Sequence, residues 1–496
     1  MITLVKRLSQ FKDNTAIIDE RGKYTYQDLL DSSLKVASYL LEGRAPLDEA
    51  RVAFLIPSSY EYVSAMLGIW RAGGIAVPLC GSHPDPELDY VLTDSGAETV
   101  IAHPDFKDRL RRLAGANGAR CALLEEALNS APGDLPGVEE SGRAMIVYTS
   151  GTTSKPKGVV TTHANIRSQI CSLIEAWEWT ENDYLLNVLP LHHVHGIVNV
   201  LLCALWSGAR CEMMPKFDAG SVWDKFIEKN FTLFMAVPTI YSRLIRSWDG
   251  ASAERKIQMS SASNKMRLMV SGSAALPVST FEKWVEISGH ILLERYGMTE
   301  IGMALSNPLH GTRVPGHVGK PLPGVEIKLQ SEDDKTANTQ GEILVKGPNV
   351  FLEYWGKPQA TTNAFTGDGW FKTGDIAGVN KEGVYKILGR DSVDIIKSGG
   401  YKISALEIEE VLCQHPSISE CAVVGVQDPE WGERVCAAIV SEREPDLSLD
   451  ALRLWCRERL AFYKIPTAIR VVLDLPRNSM GKVLKPEVVK LFDSVK

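Results

Sequence analysis

Short apolar runs alternate along this 496-residue chain with longer stretches in which apolar residues recur every three or four positions. Residues 53–56 are followed by 60–72, residues 99–102 by 106–114, and residues 233–237 by 239–247. The first kind of run suits a strand buried on both faces and the second an amphipathic helix. Their alternation therefore predicts an α/β fold with a mostly parallel, helix-covered sheet. In such sheets the loops beyond the strand ends are where ligands sit. The pattern restarts after Gly389 as helix (405–414), strand (422–426), strand (435–440), helix (449–460) and strand (469–473). Residues 1–390 thus read as a large body and 393–496 as a small α+β domain, with the joint near 390–393. Residues 250–265, rich in Ser, Ala and Lys, and residues 331–341 read as surface insertions.

Charge and cysteine usage narrow the function classes. There are 54 Lys+Arg against 61 Asp+Glu, and a net charge of −7 gives no support for a nucleic-acid partner. The longest apolar run, residues 197–206, is interrupted by Asn199 and falls well short of the ~20 residues a bilayer requires, so no transmembrane segment is expected. Nine scattered cysteines without a Cys-x-x-Cys pair suit free thiols in a reducing compartment. The start lacks a continuous apolar h-region, so no secretory signal is expected. That leaves the cytoplasm, or an organellar matrix after removal of a presequence.

The segment richest in chemistry is 145–160, MIVYTSGTTSKPKGVV. An apolar strand runs into a loop of small, hydroxylic and basic residues: Thr149, Ser150, Gly151, Thr152, Thr153 and Lys157. Glycines let backbone N–H groups turn inward, hydroxyls donate to phosphate oxygens, and lysines supply charge. Such a loop suits a nucleoside triphosphate, although the Walker spacing is absent. Its alternative is an ordinary Ser/Thr-rich surface loop.

Here the chain resembles the adenylate-forming superfamily of acyl-CoA synthetases, luciferases and peptide-synthetase adenylation domains. Five further motifs follow in the family's order: SGSAALP (271–277), YGMTE (296–300), TGD (373–375), GR-x(6)-KSGGYKIS (389–404) and PRNSMGKVLK (476–485). The resemblance implies a multi-sheet N-terminal domain and a mobile C-terminal lid. It places adenine near Ser273, Ala274, Ala275 and the run Tyr296, Gly297, Met298, and phosphate with Mg²⁺ at Thr299 and Glu300. It puts the ribose hydroxyls on Asp375 and Arg390, and the catalytic lysine at Lys482. Each placement suits its residue. Asp375 after a Thr-Gly turn is a short rigid acceptor, Glu300 a hard oxygen ligand, and Lys482 an ammonium in a Gly-flanked polar loop that can meet developing charge.

The implied chemistry has two steps. A carboxylate attacks the α-phosphorus of ATP and releases pyrophosphate, and coenzyme A then displaces AMP from the acyl-adenylate. No protein nucleophile is required, so catalysis rests on positioning and electrostatics. The resemblance also implies that the small domain rotates between steps, replacing Lys482 with a pantetheine-lining loop of Ser398, Gly399, Gly400 and Tyr401. The hinge position is Ser392, where many relatives carry Asp or Lys.

Substrate identity turns on a few residues. His192, His193 and His195 crowd one strand-to-helix turn and cannot all converge on one metal ion. The resemblance makes His193 a gate between half-reactions and puts His195 near the acyl group. Arg295 precedes Tyr-Gly-Met-Thr-Glu, where ligases of fatty or aromatic acids typically carry a small or neutral residue. A guanidinium there can hold a second carboxylate, and ERYGMTE resembles the malonyl-CoA synthetases. The substrate expected is a short dicarboxylic acid, malonate or methylmalonate. Arg243 is a second candidate, and Met303 would close the pocket around a methyl-sized group. A structural salt bridge from Arg295 to Glu294 or Glu300 stays open. So do a short-chain, medium-chain or aromatic acyl-CoA ligase and an adenylation unit that loads a carrier protein.

Overall fold

A computed structural model of the chain describes residues 2–42, 46–149, 155–331, 339–398, 401–441, 447–477 and 482–492, with only the backbone at Lys402. The alternation seen in the sequence becomes strand and helix nearly residue for residue. Strand Arg51–Leu55 leads to helix Tyr60–Arg71, Thr99–Ala102 to Lys107–Ala116, and Leu233–Ala236 to Pro238–Asp249.

These units build two mostly parallel sheets. One has nine strands, with Leu293–Met298, Leu268–Ser271, Leu233–Ala236, Tyr184–Asn187, Arg210–Met213 and Thr15–Asp19 side by side and parallel. The other has seven, with Arg143–Thr149 inside it and its antiparallel neighbour Lys157–Thr162 returning beside it. Parallel strands covered on both faces explain why their sequences are continuous apolar runs. A third, antiparallel sheet of four strands includes Phe371–Val379 and Tyr385–Arg390 and ends at the joint.

Four fully buried tryptophans mark the core, and each indole N–H needs an acceptor there. Trp70 donates to Ala144 O at 2.7 Å, Trp177 to Ser306 Oγ at 3.0 Å and Trp223 to Leu244 O at 3.1 Å, while Trp284 meets Met269 Sδ at 3.4 Å.

Residues 250–265 do not form a loop insertion. Helix Ala253–Asn264 is capped by Ser252 and buries Met259 and Ser263. Two inward positions one turn apart suffice to seat it, which the Ser, Ala and Lys composition conceals. The apolar run after the histidines forms the wide-turned π-helix His195–Leu202, wholly buried, continuing into helix Cys203–Ser207. Wide turns of this kind concentrate at functional sites. No helix among the described residues is long and apolar enough to cross a membrane.

Beyond the joint a five-stranded sheet carries its own cores on both faces, one around Ile396, Ile408 and Leu452 and the other around Val424, Val488 and Phe492. The joint itself is a tight turn. Arg390 N donates to Asp394 Oδ2 at 3.0 Å and Asp394 N to Arg390 O at 2.7 Å. Gly389 adopts φ +129°, and a Cβ there would stand 2.4 Å from Asp394 Cβ, so only glycine fits.

Candidate active site

Parallel pairing of Leu268–Ser271 with Leu293–Met298 sets Ser271 opposite Glu294, which brings Arg295 beside the glycine that follows. The Arg295 side chain covers Gly272: a Cβ there would stand 2.5 Å from the guanidinium carbon. Arg295 is 4% exposed and donates from Nη2 to Ser273 Oγ at 3.3 Å, while its Nε has no partner. Neither neighbouring acid reaches it. Glu294 Oε1 accepts from Gly316 N at 2.9 Å, and Glu300 Oε1 accepts from the Tyr354 hydroxyl at 2.9 Å. The salt-bridge alternative therefore does not form, and burial alone pushes the Arg295 pKa down to about 9. At neutral pH this is a charged, buried guanidinium without a carboxylate among the described residues, an arrangement that costs several kcal/mol unless a ligand completes it.

Ser273 holds that guanidinium in a strained backbone. Its φ of +71° is left-handed for a non-glycine residue, on the order of 1–3 kcal/mol of strain of the kind that gathers at functional sites. The same Oγ lies 3.2 Å from His195 Nδ1. His195 is buried, and burial, Arg295 and His193 in that order hold its imidazole neutral. His193 is pushed down to about 3 by burial and then by His192 and His83, and its Nε2 is buried without a partner. Met303, 1% exposed, is fixed by its backbone N–H, which donates to Gln169 Oε1 at 2.6 Å. Its methyl lies 2.4 Å from where a Cβ on Gly297 would stand, so side chain and glycine backbone are in close contact.

A second cluster is preassembled around Asp375. Antiparallel pairing sets Asp375 opposite Arg390. Arg390 Nε donates to Asp375 Oδ1 at 2.8 Å, and the Tyr296 hydroxyl donates to Oδ2 at 2.7 Å. Burial works against the Arg390 charge, but the Asp375 carboxylate outweighs it and raises the Arg390 pKa. Thr373 Oγ1 donates to Ile343 O at 2.8 Å and accepts from Asp375 N at 3.1 Å, so the carboxylate is braced from behind. Ser273, Ala274 and Ala275 are exposed beyond their strand end, and Gly297, Met298 and Thr299 are half-buried at theirs.

Glu300 is 6% exposed, and burial raises its pKa. With Oε1 held by Tyr354, its second oxygen makes no ion pair among the described residues. A hard carboxylate oxygen outside any ion pair, with the Arg390 and Lys157 charges near enough to favour its ionised form, fits Mg²⁺, which takes one or two carboxylates and completes its shell with phosphates and water. Lys157 Nζ sits 4.8 Å above the Tyr354 ring, and Thr149 pairs with Lys157 across the hairpin. Ser150, Gly151, Thr152 and Thr153 lie outside the described residues.

Lys482 retains solvent-exposed surface, yet its pKa is lowered, first by burial and then by the Arg390 charge, with Asp394 and Asp375 opposing. The lysine thus lies within electrostatic reach of the Asp375–Arg390 pair. Ser398 and Tyr401 face each other across a hairpin; Ser398 is buried, and Tyr401 is 50% exposed and stacks on Tyr463 at 4.2 Å. Gly399 and Gly400 lie outside the described residues. Arg243 is exposed on helix Pro238–Asp249 and is not part of the Arg295–Ser273–His195 contacts.

Sequence reasoning missed several parts of the site. Gly272 was visible only as a letter of the SGSAALP motif, without sign of its close approach to Arg295. Tyr354, which holds Glu300, and Gln169, which fixes Met303, carry no local signal.

A braced carboxylate–arginine pair, a buried acid and a lysine brought in by a separate unit define an adenylate-forming enzyme of the acid–thiol ligase type. The chain belongs to the AMP-binding enzyme family, which matches residues 4–355, with the AMP-binding enzyme C-terminal domain matching 407–482. It is 47% identical to the mitochondrial malonate–CoA ligase ACSF3 of Mus musculus, over 98% of this chain and 89% of that protein. Among solved structures it resembles ATP-bound MatB from Rhodopseudomonas palustris, at TM-score 0.90 and 33% identity over 100% of both chains. Apo MatB from the same organism, also over 100% of both chains, is 34% identical and scores 0.81.

Proposed function

We propose that the chain activates malonate, with methylmalonate as a close analogue, as an acyl-adenylate and transfers it to coenzyme A. The observation that carries this reading is the buried Arg295 guanidinium without a carboxylate partner. An apolar acyl tail would leave that charge uncompensated, whereas the distal carboxylate of a dicarboxylic acid completes it with charge-assisted hydrogen bonds. This disfavours a fatty or aromatic acid. The malonate–CoA ligases among the relatives support the same choice.

In this reading Asp375 and Arg390 accept the ribose, and Tyr296 and the Ser273–Ala275 turn flank adenine. Thr149 through Thr153, with Lys157 and Thr299, surround the phosphates. Glu300 would hold Mg²⁺, which when bound neutralises phosphate charge. Ser273 and His195 orient the acid against Arg295, Met303 limits its substituent, and Arg243 adds positive charge outside the buried seat. The proximal carboxylate oxygen attacks the α-phosphorus, the bond to the bridging oxygen breaks, and pyrophosphate leaves. Lys482 stabilises the charge that develops there. The small unit then turns, the hairpin of Ser398–Tyr401 guides the thiol past neutral His193, and the sulfur displaces AMP. The free cysteines fit a reducing compartment, cytoplasm or organellar matrix.

The test is pyrophosphate release and thioester formation over malonate, methylmalonate, acetate, octanoate and 4-coumarate, with free coenzyme A as acceptor. Malonate is expected to lead the panel. Preference for a monocarboxylate would overturn the substrate, and failure with free coenzyme A would favour a carrier protein.

A further inference from the structure

Outside the nucleotide and acyl ends, one pair of nucleophiles stands out. Cys413 ends helix Ala405–Leu412, Cys421 lies in strand Glu420–Asp428, and their sulfurs are 3.6 Å apart. Both are free and half-buried, and no other sulfur–sulfur hydrogen-bond contact occurs among the described residues. We propose that Cys413 and Cys421 form a modification site, a dithiol that reacts with a two-electron oxidant of the hydroperoxide class and closes to an internal disulfide.

The sulfurs are in van der Waals contact at 3.6 Å, so a bond of about 2.05 Å asks them to approach by roughly 1.5 Å. The Cys421 thiol has two acceptors in reach, the Cys413 sulfur and the Glu409 carbonyl at 3.6 Å. Its hydrogen bond to Cys413 lowers the Cys413 pKa and favours the thiolate as the first nucleophile. The Cys413 sulfur attacks one peroxide oxygen, the O–O bond breaks, and a sulfenic acid and water form with hydrogen peroxide. The Cys421 sulfur then attacks the sulfenic sulfur, the S–O bond breaks, and a second water leaves with the Cys421 proton. Two thiols give two electrons to one peroxide and become one disulfide.

The position is consequential because Glu409 links this pair to the joint. Its carbonyl accepts from Cys413 N at 2.9 Å, and its carboxylate accepts from Val423 N and from Lys485 Nζ, both at 2.7 Å. Lys485 also pairs with Asp394 at 2.9 Å, and Asp394 holds the Arg390 backbone. Closing the disulfide removes the Cys421 donor from the Glu409 carbonyl.

Both cysteines fall in one tryptic peptide, residues 403–434, which makes the test direct. The full chain is titrated with hydrogen peroxide, alkylated, digested and weighed, with exposed Cys171 as internal comparison. The expected result is that peptide 403–434 loses about 2 Da and both alkylation sites while Cys171 still alkylates, and that dithiothreitol restores it. Cys413→Ser and Cys421→Ser are each expected to leave a lone thiol that gains about 32 Da as sulfinic acid, which dithiothreitol does not reverse. A wild-type peptide still doubly alkylated once Cys171 is oxidised would overturn the proposal. So would sulfinic acid at Cys413 in the wild type without any disulfide.

Discussion

The guanidinium of Arg295 covers Gly272 so closely that a methyl on that glycine would stand 2.5 Å from the guanidinium carbon. The buried positive charge of Arg295 is thus positioned by the absence of a side chain.

Gly272→Ala is expected to push Arg295 out of its seat and raise the malonate KM tenfold or more, about 1.4 kcal/mol of lost binding. The ATP KM is expected to stay within about twofold, because the Asp375–Arg390 pair does not touch Gly272. Initial-rate kinetics with each substrate varied separately check this; an equal rise in both KM values would mean the whole loop had shifted.

Tyr296→Phe removes the hydroxyl that donates to Asp375 Oδ2 at 2.7 Å. A lost hydrogen bond to a carboxylate is worth about 1.5–3 kcal/mol, so the ATP KM is expected to rise by ten- to a hundredfold with malonate KM little changed. An unaltered ATP KM would show that Arg390 alone aligns the carboxylate.

For Lys482→Ala the two half-reactions are expected to separate. Adenylation measured by pyrophosphate release falls by roughly 10²–10³, the size of losing one charge-stabilising donor. Thioester formation from preformed malonyl-adenylate and coenzyme A is expected to stay near wild type. Equal loss in both would mean that Lys482 acts on the fold.

Glu294 gives a pH signature. Burial, and then the like charge of Glu410, push its pKa up to about 8 from an ordinary 4.5. Between those values the folded chain keeps a proton that the unfolded chain has released, so this contribution to stability is complete below 4.5 and falls as pH rises toward 8. Thermal melts of Glu294→Gln, whose amide oxygen can still accept from Gly316 N, are expected to lose part of the wild-type decline in Tm from pH 5 to 8. An unchanged slope would place the titration elsewhere.

The strands and helices of the large body were legible because parallel strands buried on both faces print as apolar runs, as at Thr99–Ala102. Helix Ala253–Asn264 was not, since two buried positions make too weak a periodicity. At the site, Arg295 was legible because it stands immediately before the YGMTE motif, where ligases of fatty or aromatic acids typically carry a small or neutral residue. What could not be read was whether Glu294 and Glu300 reach it, because that depends on Gly316 and Tyr354, brought in from 22 and 54 positions away. Ser273 likewise gives no sign in sequence of its left-handed backbone, which tertiary contacts impose.

The Asp375–Arg390 pair joins two things that are usually separate. Asp375 and Arg390 grip each other across neighbouring strands, and Arg390 is also tied through its backbone to Asp394, the first anchor of the smaller unit. If the ribose sits on this pair, the ligand lies on the axle and not at the rim. The smaller unit can then exchange its lysine for its hairpin while the adenylate stays where it was made, so one intermediate meets two sets of tools without being released.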